Sequence, residues 1–542
     1  MEPKIKKKSD APSVIIIGAG IAGMSAGIYL QMNGFNTRIY EKHVLPGGCC
    51  TAWSRKGYIF DYCIDWLIGS GHGNSANRVW QELGALDGKK INNFNLFNQV
   101  IDQNNKKVIF YNDPKQLSQH LKSISPQDSV LIESFCGDLQ KFIKLNIYPP
   151  LKPKSLMSLK ERLTELLQIL PHFRLFWRTG ATQMKNFSNK FKDQTLRAAF
   201  NYIFFQDPQT FPMLPFLYNM ACAHNQNAGF PEGGSLGLSR SLEQRYLSLG
   251  GTIHYGSCVN KIVVEDNKAI GIKFKKGPPQ FSDYIISAAD AISVLYDYLD
   301  GHYINPTIDK LYKNVMLKPG ILFPSVISVF FGIKIEIGKN EAHSTTYLLD
   351  NLDAKSLPGC QQNCIVIQHR SQYAQGFAPQ GHSIIHCTYF SDFDYWQDLR
   401  LKDKKLYREK KSQVVRFLTR FLEQRYPQII DNIEVVEVAT PATTKRYTGN
   451  FRGSIFGFKA FSEAEEIAER LIDKQHMKLP GLKNFYMTGQ WVLGGGLPRA
   501  ALSGRYVAQF LCNDLKLSFN VSEIKNSSNW NPKSLGYLPK LD

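Results

Sequence analysis

Four consecutive apolar residues, Val14-Ile15-Ile16-Ile17, run straight into Gly18-Ala19-Gly20-Ile21-Ala22-Gly23, and Glu41 follows the next candidate strand. These parts constrain one another. The apolar run predicts a strand buried on both faces, as in a parallel sheet. The glycines allow a tight turn and let bare backbone approach a diphosphate. The helix that follows, about 21–32, aims its free N–H groups and positive dipole end at that anion. Gly23 and Gly27 lie four apart, so both can face the strand and admit close packing. Asn33-Gly34 stops the helix, and 35–40 reads as the second strand. A carboxylate at its end, Glu41, can accept both ribose hydroxyls of an adenosine. A glycine triplet alone is a weak signal; with its strand, helix and acid it predicts a dinucleotide site.

The 542 residues allow two or three domains, and 43% hydrophobic content makes the chain globular. A net charge of +19 favours an acidic partner surface, either anionic lipid or nucleic acid. No run is long and apolar enough to span a membrane. Lys4, Lys6, Lys7 and Lys8 precede the apolar run and superficially resemble a secretory signal. Cleavage there would remove the phosphate-binding unit, so the segment reads as a basic tip of the mature protein. Ten cysteines without a Cys-x-x-Cys pair read as reduced thiols, which predicts a cytoplasmic protein. His382 and His386 lie four apart in a strand pattern, too far for one ion, and no metal site is expected.

Pro46-Gly47-Gly48-Cys49-Cys50-Thr51 forms a second glycine cluster on the loop behind Glu41. From about 80 to 225 glycine becomes rare. Ser158-x-x-Glu161 is a capping box, followed by a stripe of Leu159, Leu163, Leu166, Leu167 and Leu170. Such a stripe ordinarily packs on a core. Residues 141–200 also hold twelve Lys/Arg against three Asp/Glu, a net +9, interleaved with Phe173, Phe176, Trp177, Phe187 and Phe191. That mixture suits a lipid interface, and no nucleic-acid motif accompanies it. Glycine returns at Gly229 to Gly234, before a helix at 235–249 and strands at 252–255, 259–264, 269–274 and 284–287. Further strands are expected at 323–337 and 365–368, and a helix at 404–425. A last strand–glycine–helix unit runs from Asn484 through Gly494-Gly495-Gly496 into a helix at 500–511, with Ala501, Gly504 and Ala508 along one side.

With these pieces assembled, the chain resembles the flavoprotein superfamily of phytoene desaturases, carotenoid isomerases and retinol saturases. Within it the best match is to bacterial FAD/NAD(P)-dependent oxidoreductases of desaturase type. The resemblance rests on the Gly18–Gly23 turn with Glu41, the Pro46–Cys50 loop, Gly57-Tyr58-Ile59-Phe60-Asp61, Pro231-x-Gly233-Gly234, and Thr488-Gly489-Gln490-Trp491 with Gly494–Gly496. It implies an α/β fold: a Rossmann-like, glutathione-reductase-like FAD-binding domain of discontinuous segments with an inserted α+β substrate domain. The expected boundaries are 1–79, 225–299 and 441–517 for the FAD-binding segments. A helical, membrane-facing insertion would occupy 80–224, the rest of the substrate domain 300–440, and a surface tail 518–542.

The resemblance further implies that Gly18, Gly20, Ala22 and Gly23 hold the pyrophosphate of FAD and Glu41 its adenosine ribose. Gly47, Gly48 and Cys49 would lie along the ribityl–phosphate region, Val259 would meet the adenine through its backbone, and Gly489, Gln490, Gly496 and Leu497 would line the flavin side. Only one complete dinucleotide unit is visible, so a bound NAD(P) is not established. Cys49 stands where many relatives carry Arg, Gln490 where many carry Asp, and Cys63 and Asp65 where relatives often carry Gly and His. The implied activity is desaturation, saturation or isomerisation of C=C bonds in a hydrophobic polyene or isoprenoid, with peripheral contact to an anionic membrane. Alternatives are a flavin amine oxidase acting on C–N bonds and a non-enzymatic escort of the same fold binding a prenylated partner. Catalytic residues are not identified; Asp65, His72 and His224 adjoin cofactor-like segments.

Overall fold

Three stretches far apart in the chain build one parallel sheet. Its order is Thr252–His254, Asn36–Tyr40, Ser13–Ile17, Tyr284–Ser287, Phe485–Met487, with every neighbour parallel. The computed structural model describes residues 11–522 except 146–147, 204–208, 316–317, 319, 339–340 and 460–476. The basic tip at 4–8 and the tail beyond 522 lie outside the described residues. The central strand Ser13–Ile17 is buried on both faces from Val14 onward, the condition that demands an unbroken apolar run. The helices Ile21–Met32 and Leu497–Asp514 cross beside it.

That crossing is very close. A Cβ on Gly504 would lie 2.6 Å from Ala22 O, Ala26 N and Ser25 Cβ. Ser25 Oγ donates to Ala501 O at 2.6 Å. On its other sides the first helix meets Gly18 through Gly23, and Tyr246 and Ile39 through Gly27. The small residues are therefore a packing requirement, because any side chain would push backbone apart.

A second, seven-stranded sheet has the order Ile433–Ala439, Val326–Ile333, Ser383–Phe390, Cys364–His369, Ser344–Leu348, Leu96–Ile101, Lys107–Tyr111. All neighbours are antiparallel except Ser344–Leu348 with Leu96–Ile101. This departs from the expectation of a helical 80–224 stretch, since two of the strands come from it. Their alternation, for example Lys107-Val108-Ile109-Phe110-Tyr111, is short and hidden between helical patterns. The helices of that stretch pack around Phe110, Phe135, Phe200 and Phe216.

The leucine stripe does not pack on a core. The helix Leu159–Ile169 forms with its capping box intact but has no buried residue. Leu159, Leu163, Leu166, Leu167 and Leu170 are each more than half exposed. Amphipathic periodicity defines an apolar face without saying which way it turns.

The glycine crossing gives a sharp contrast. Gly504→Leu is expected to lower the unfolding free energy by about 3 kcal/mol through overpacking. Gly137→Ala, in the helix Ser129–Ile143 with nothing within 4 Å of its Cβ, is expected to raise it by about 0.5–1 kcal/mol. Urea unfolding of both variants checks the pair.

Candidate active site

The carboxyl edge of the parallel sheet gathers bare backbone. Gly18 N donates to Tyr40 O at 2.8 Å and Gly47 N to Ala19 O at 2.8 Å, bringing the two glycine loops side by side. A Cβ on Gly23 would strike Gly18 O at 2.0 Å, so that turn closes only with glycine. Gly20 faces open space, and Gly48, in the left-handed region at φ +63°, is backed by Gly20 Cα. Gly489 arrives from the last strand against Ala22. The structure thus brings together Gly18, Gly20, Ala22, Gly23, Gly47, Gly48 and Gly489.

The helices that start at Gly20, Gly233 and Gly496 have no side-chain cap. Some helices elsewhere are capped by Asn74, Asp113, Ser158, Asp193 or Asp392, and others, such as those after Asp128 and Pro212, are not. At the first of these glycine starts, beside open space, uncapped N–H groups are suited to an anionic ligand. A dinucleotide diphosphate fits this cradle.

Glu41 is buried, and its carboxylate accepts from Ala19 N at 2.7 Å and His43 N at 2.8 Å. Burial raises its pKa against those bonds. Each oxygen keeps a further lone pair for a ligand hydroxyl. Glu41 N donates to His254 O and Ser257 N to Glu41 O, so the chain leading to Val259 runs along this residue. Cys49 accepts from Asn450 Nδ2 at 3.3 Å. Burial pushes its thiol up to about 12, which keeps it protonated at neutral pH. Gln490 opens a short helix packed on Gly457. Gly496 and Leu497 sit at the wall of a large cavity.

That cavity measures 1620 Å³ and lies between the seven-stranded sheet, the helical insertion and the glycine segment before the last helix. Trp66, Phe97, Phe176, Phe211, Leu214 and Phe456 give it apolar walls. Its floor is one face of the seven-stranded sheet. At one side lies a buried cluster the sequence did not reveal. Arg370, 1% exposed, donates to Ile64 O at 2.6 Å and Asp65 Oδ1 at 2.7 Å and lies 3.2 Å from His386 Nδ1. Asp61 beside it accepts from Ser235 N and Ser235 Oγ, both at 2.6 Å. Burial raises the Asp61 pKa, and the Arg370 charge and Ser235 bonds oppose the rise. Asp61 belongs to a motif visible in the sequence, but Arg370 enters from a distant strand end that carries no local signal.

Of the three candidates near cofactor-like segments, only Asp65 lines the cavity. His72 is exposed, and His224 ends the helix Met213–His224 with Nδ1 3.0 Å from Asn112 O. His386 lies inside the strand Ser383–Phe390, as the pattern around it predicts.

The family of flavin containing amine oxidoreductases matches residues 21–512. Prolycopene isomerase 2, chloroplastic, of an Oncidium hybrid cultivar is 25% identical over 83% of this chain and 76% of its own length. All-trans-retinol 13,14-reductase of Danio rerio is 23% identical over 94% and 86%. The solved structure of a putrescine oxidase triple mutant overlays with a TM-score of 0.59 at 11% identity, over 93% of this chain and 99% of that one. At that identity it shows the shared fold.

The Arg370 cluster carries its own test. Arg370→Met would leave the Asp61 carboxylate buried beside no cation and strip Ile64 O of its donor. The expected loss is about 3–5 kcal/mol of stability, read by chemical denaturation.

Proposed function

This chain belongs to the family of flavin containing amine oxidoreductases, and on that premise we propose that it acts on the C=C system of a hydrophobic polyene or isoprenoid. It is an FAD-dependent oxidoreductase. FAD, when bound, supplies hydride and single-electron chemistry. The chain supplies position, orientation and exclusion of water. Under this reading Gly18, Gly20, Ala22 and Gly23 hold the pyrophosphate and Glu41 the adenosine ribose. The Val259 backbone meets the adenine, and Gly47, Gly48 and Cys49 follow the ribityl–phosphate stretch. Gly489, Gln490, Gly496 and Leu497 face the flavin.

The observation that carries the proposal is the cavity. At 1620 Å³ it exceeds the roughly 300–1,000 Å³ of ordinary ligand pockets. Its walls are aromatic and aliphatic, and it reaches the glycine segment ahead of the last helix. A long apolar substrate matches that volume and lining. The names of the two relatives, an isomerase and a reductase of polyenes, support the same class over amines. Desaturation, saturation and isomerisation all remain within it.

The route in is read from the leucine helix. Lys160, Glu161, Thr164, Glu165 and Gln168 line the cavity mouth, while the leucines occupy the opposite face and point outward. Phe173 and Trp177, the latter 67% exposed, extend the apolar face. Lys154, Lys160, Arg162, Arg174, Arg178 and Lys185 are exposed around it. An apolar face ringed by cations fits an anionic lipid surface, and we assign it that occupant.

Purified protein is expected to show flavin absorbance in the visible. Gly20→Val and Glu41→Ala should weaken FAD retention by about tenfold or more, measured by flavin release on dialysis. Failure of native apoprotein to take up FAD would overturn the site assignment. Peroxide release with amines, without turnover of any polyene, would overturn the substrate class.

For the membrane face, co-sedimentation should be stronger with anionic than with neutral vesicles and should weaken with salt. Leu163→Ser with Leu167→Ser should abolish it. Equal pelleting with both vesicle types would reject the electrostatic part, and a leucine-dependent dimer without vesicle binding would reassign the face.

A further inference from the structure

The cavity floor is more polar than a hydrocarbon needs. In the seven-stranded sheet Ser328 pairs directly with Thr388, and Thr388 with Val366 on the next strand. Two residues along, His386 sits opposite Gln368, and Gln368 opposite Ser344. Side chains two apart share a face, so these residues form one contiguous patch, and all of them line the cavity. Among the described residues the hydroxyls of Ser328, Thr388 and Ser344 make no hydrogen bond.

His386 lies in the same patch. Its ring stacks on Phe330 at 4.0 Å and 5°. Arg370 lies 3.2 Å from its Nδ1, and Gln368 Oε1 lies 3.0 Å from the same atom. The guanidinium can only donate and the amide oxygen only accept, so the two contacts call for opposite tautomers of the neutral ring. Burial, with the Arg370 charge behind it, keeps that ring neutral. Nε2 is buried and finds no hydrogen-bond partner among the described residues.

We propose that this patch receives an oxygen of the substrate, so that the substrate is an oxygenated polyene or isoprenoid, an alcohol or carbonyl compound, in preference to a pure hydrocarbon. The inference rests on the polyene reading above and narrows it. A hydrocarbon laid on the floor would strip water from three hydroxyls and return no hydrogen bond. An oxygen can exchange bonds with Ser328, Thr388 or Ser344. Sites built to bond a hydroxyl reject analogues that lack it far more strongly than apolar pockets reject an added one.

The test uses flavin-loaded protein and two probes, a polyene alcohol and the hydrocarbon of the same carbon skeleton, with binding followed by absorbance of the bound polyene. The alcohol is expected to bind about tenfold tighter or more. Ser328→Ala with Thr388→Val, close to isosteric, should bring the two within about twofold. Circular dichroism and flavin content report that the variant folds. Equal binding of both probes to native protein would overturn the inference and leave the polyene reading standing. An alcohol preference that survives the double variant would also overturn it, because the floor would not be its source. If neither probe binds, the polyene reading falls and takes this inference with it.

Discussion

The fold depends on one constraint: two helices separated by more than four hundred residues must touch backbone to backbone. Ile21–Met32 starts at the cradle and Leu497–Asp514 ends the parallel sheet's last unit. Gly504 lies on the backbone of Ala22 and Ala26, and Ser25 bonds Ala501 O. This contact holds Gly489 against Ala22, which closes the far side of the glycine cradle. Separate the helices and the C-terminal glycines leave the N-terminal ones. A site assembled from three chain segments therefore rests on an absence of side chains, which dispersion and close packing reward only when the fit is near.

The second anchor is electrostatic. Arg370 bridges the loop after Asp61 to the seven-stranded sheet, bonding Ile64 O and Asp65 and lying beside His386. Asp61 in turn holds the start of the helix Gly234–Ser248 through Ser235. A buried charge is tolerable only with its partners in place. The cluster therefore fixes how the cavity floor sits against the parallel-sheet half. The same arginine lies 3.2 Å from His386 in the cavity floor, so one residue links the loop after Asp61 to the cavity wall.

The parts legible in the sequence are those whose physics is local. The strand, turn and helix of 14–32, the acid at 41, the capping box at 158 and the glycine-led last helix all carry their cause within a few residues. The order of the seven-stranded sheet is not local: its strands come from 96–111, 326–390 and 433–439, and no turn signal records that Leu96–Ile101 pairs with Ser344–Leu348. Arg370 was illegible for the same reason, since nothing near it in the chain shows that Asp61 and Asp65 face it. The polar floor was hidden by strand alternation, in which Ser328 and Thr388 read as ordinary positions of a half-buried sheet. The leucine stripe was legible as an amphipathic helix, but its outward turn was not.

That outward turn ties the two halves of the functional picture together. A helix with polar residues at a cavity mouth and leucines in solvent is unstable in its setting unless something apolar covers it, because exposed apolar area of this extent carries a solvation cost. Under the proposed membrane reading, lipid would relieve that cost and place the cavity mouth at the layer where long apolar molecules reside. A substrate entering from there would meet aromatic walls first and hydroxyl-bearing strands last. An entry that selects for apolar length and a floor that selects for oxygen divide the recognition between them. Neither alone distinguishes an oxygenated polyene from bulk lipid, and the geometry that supplies both is the sheet held in place by Arg370.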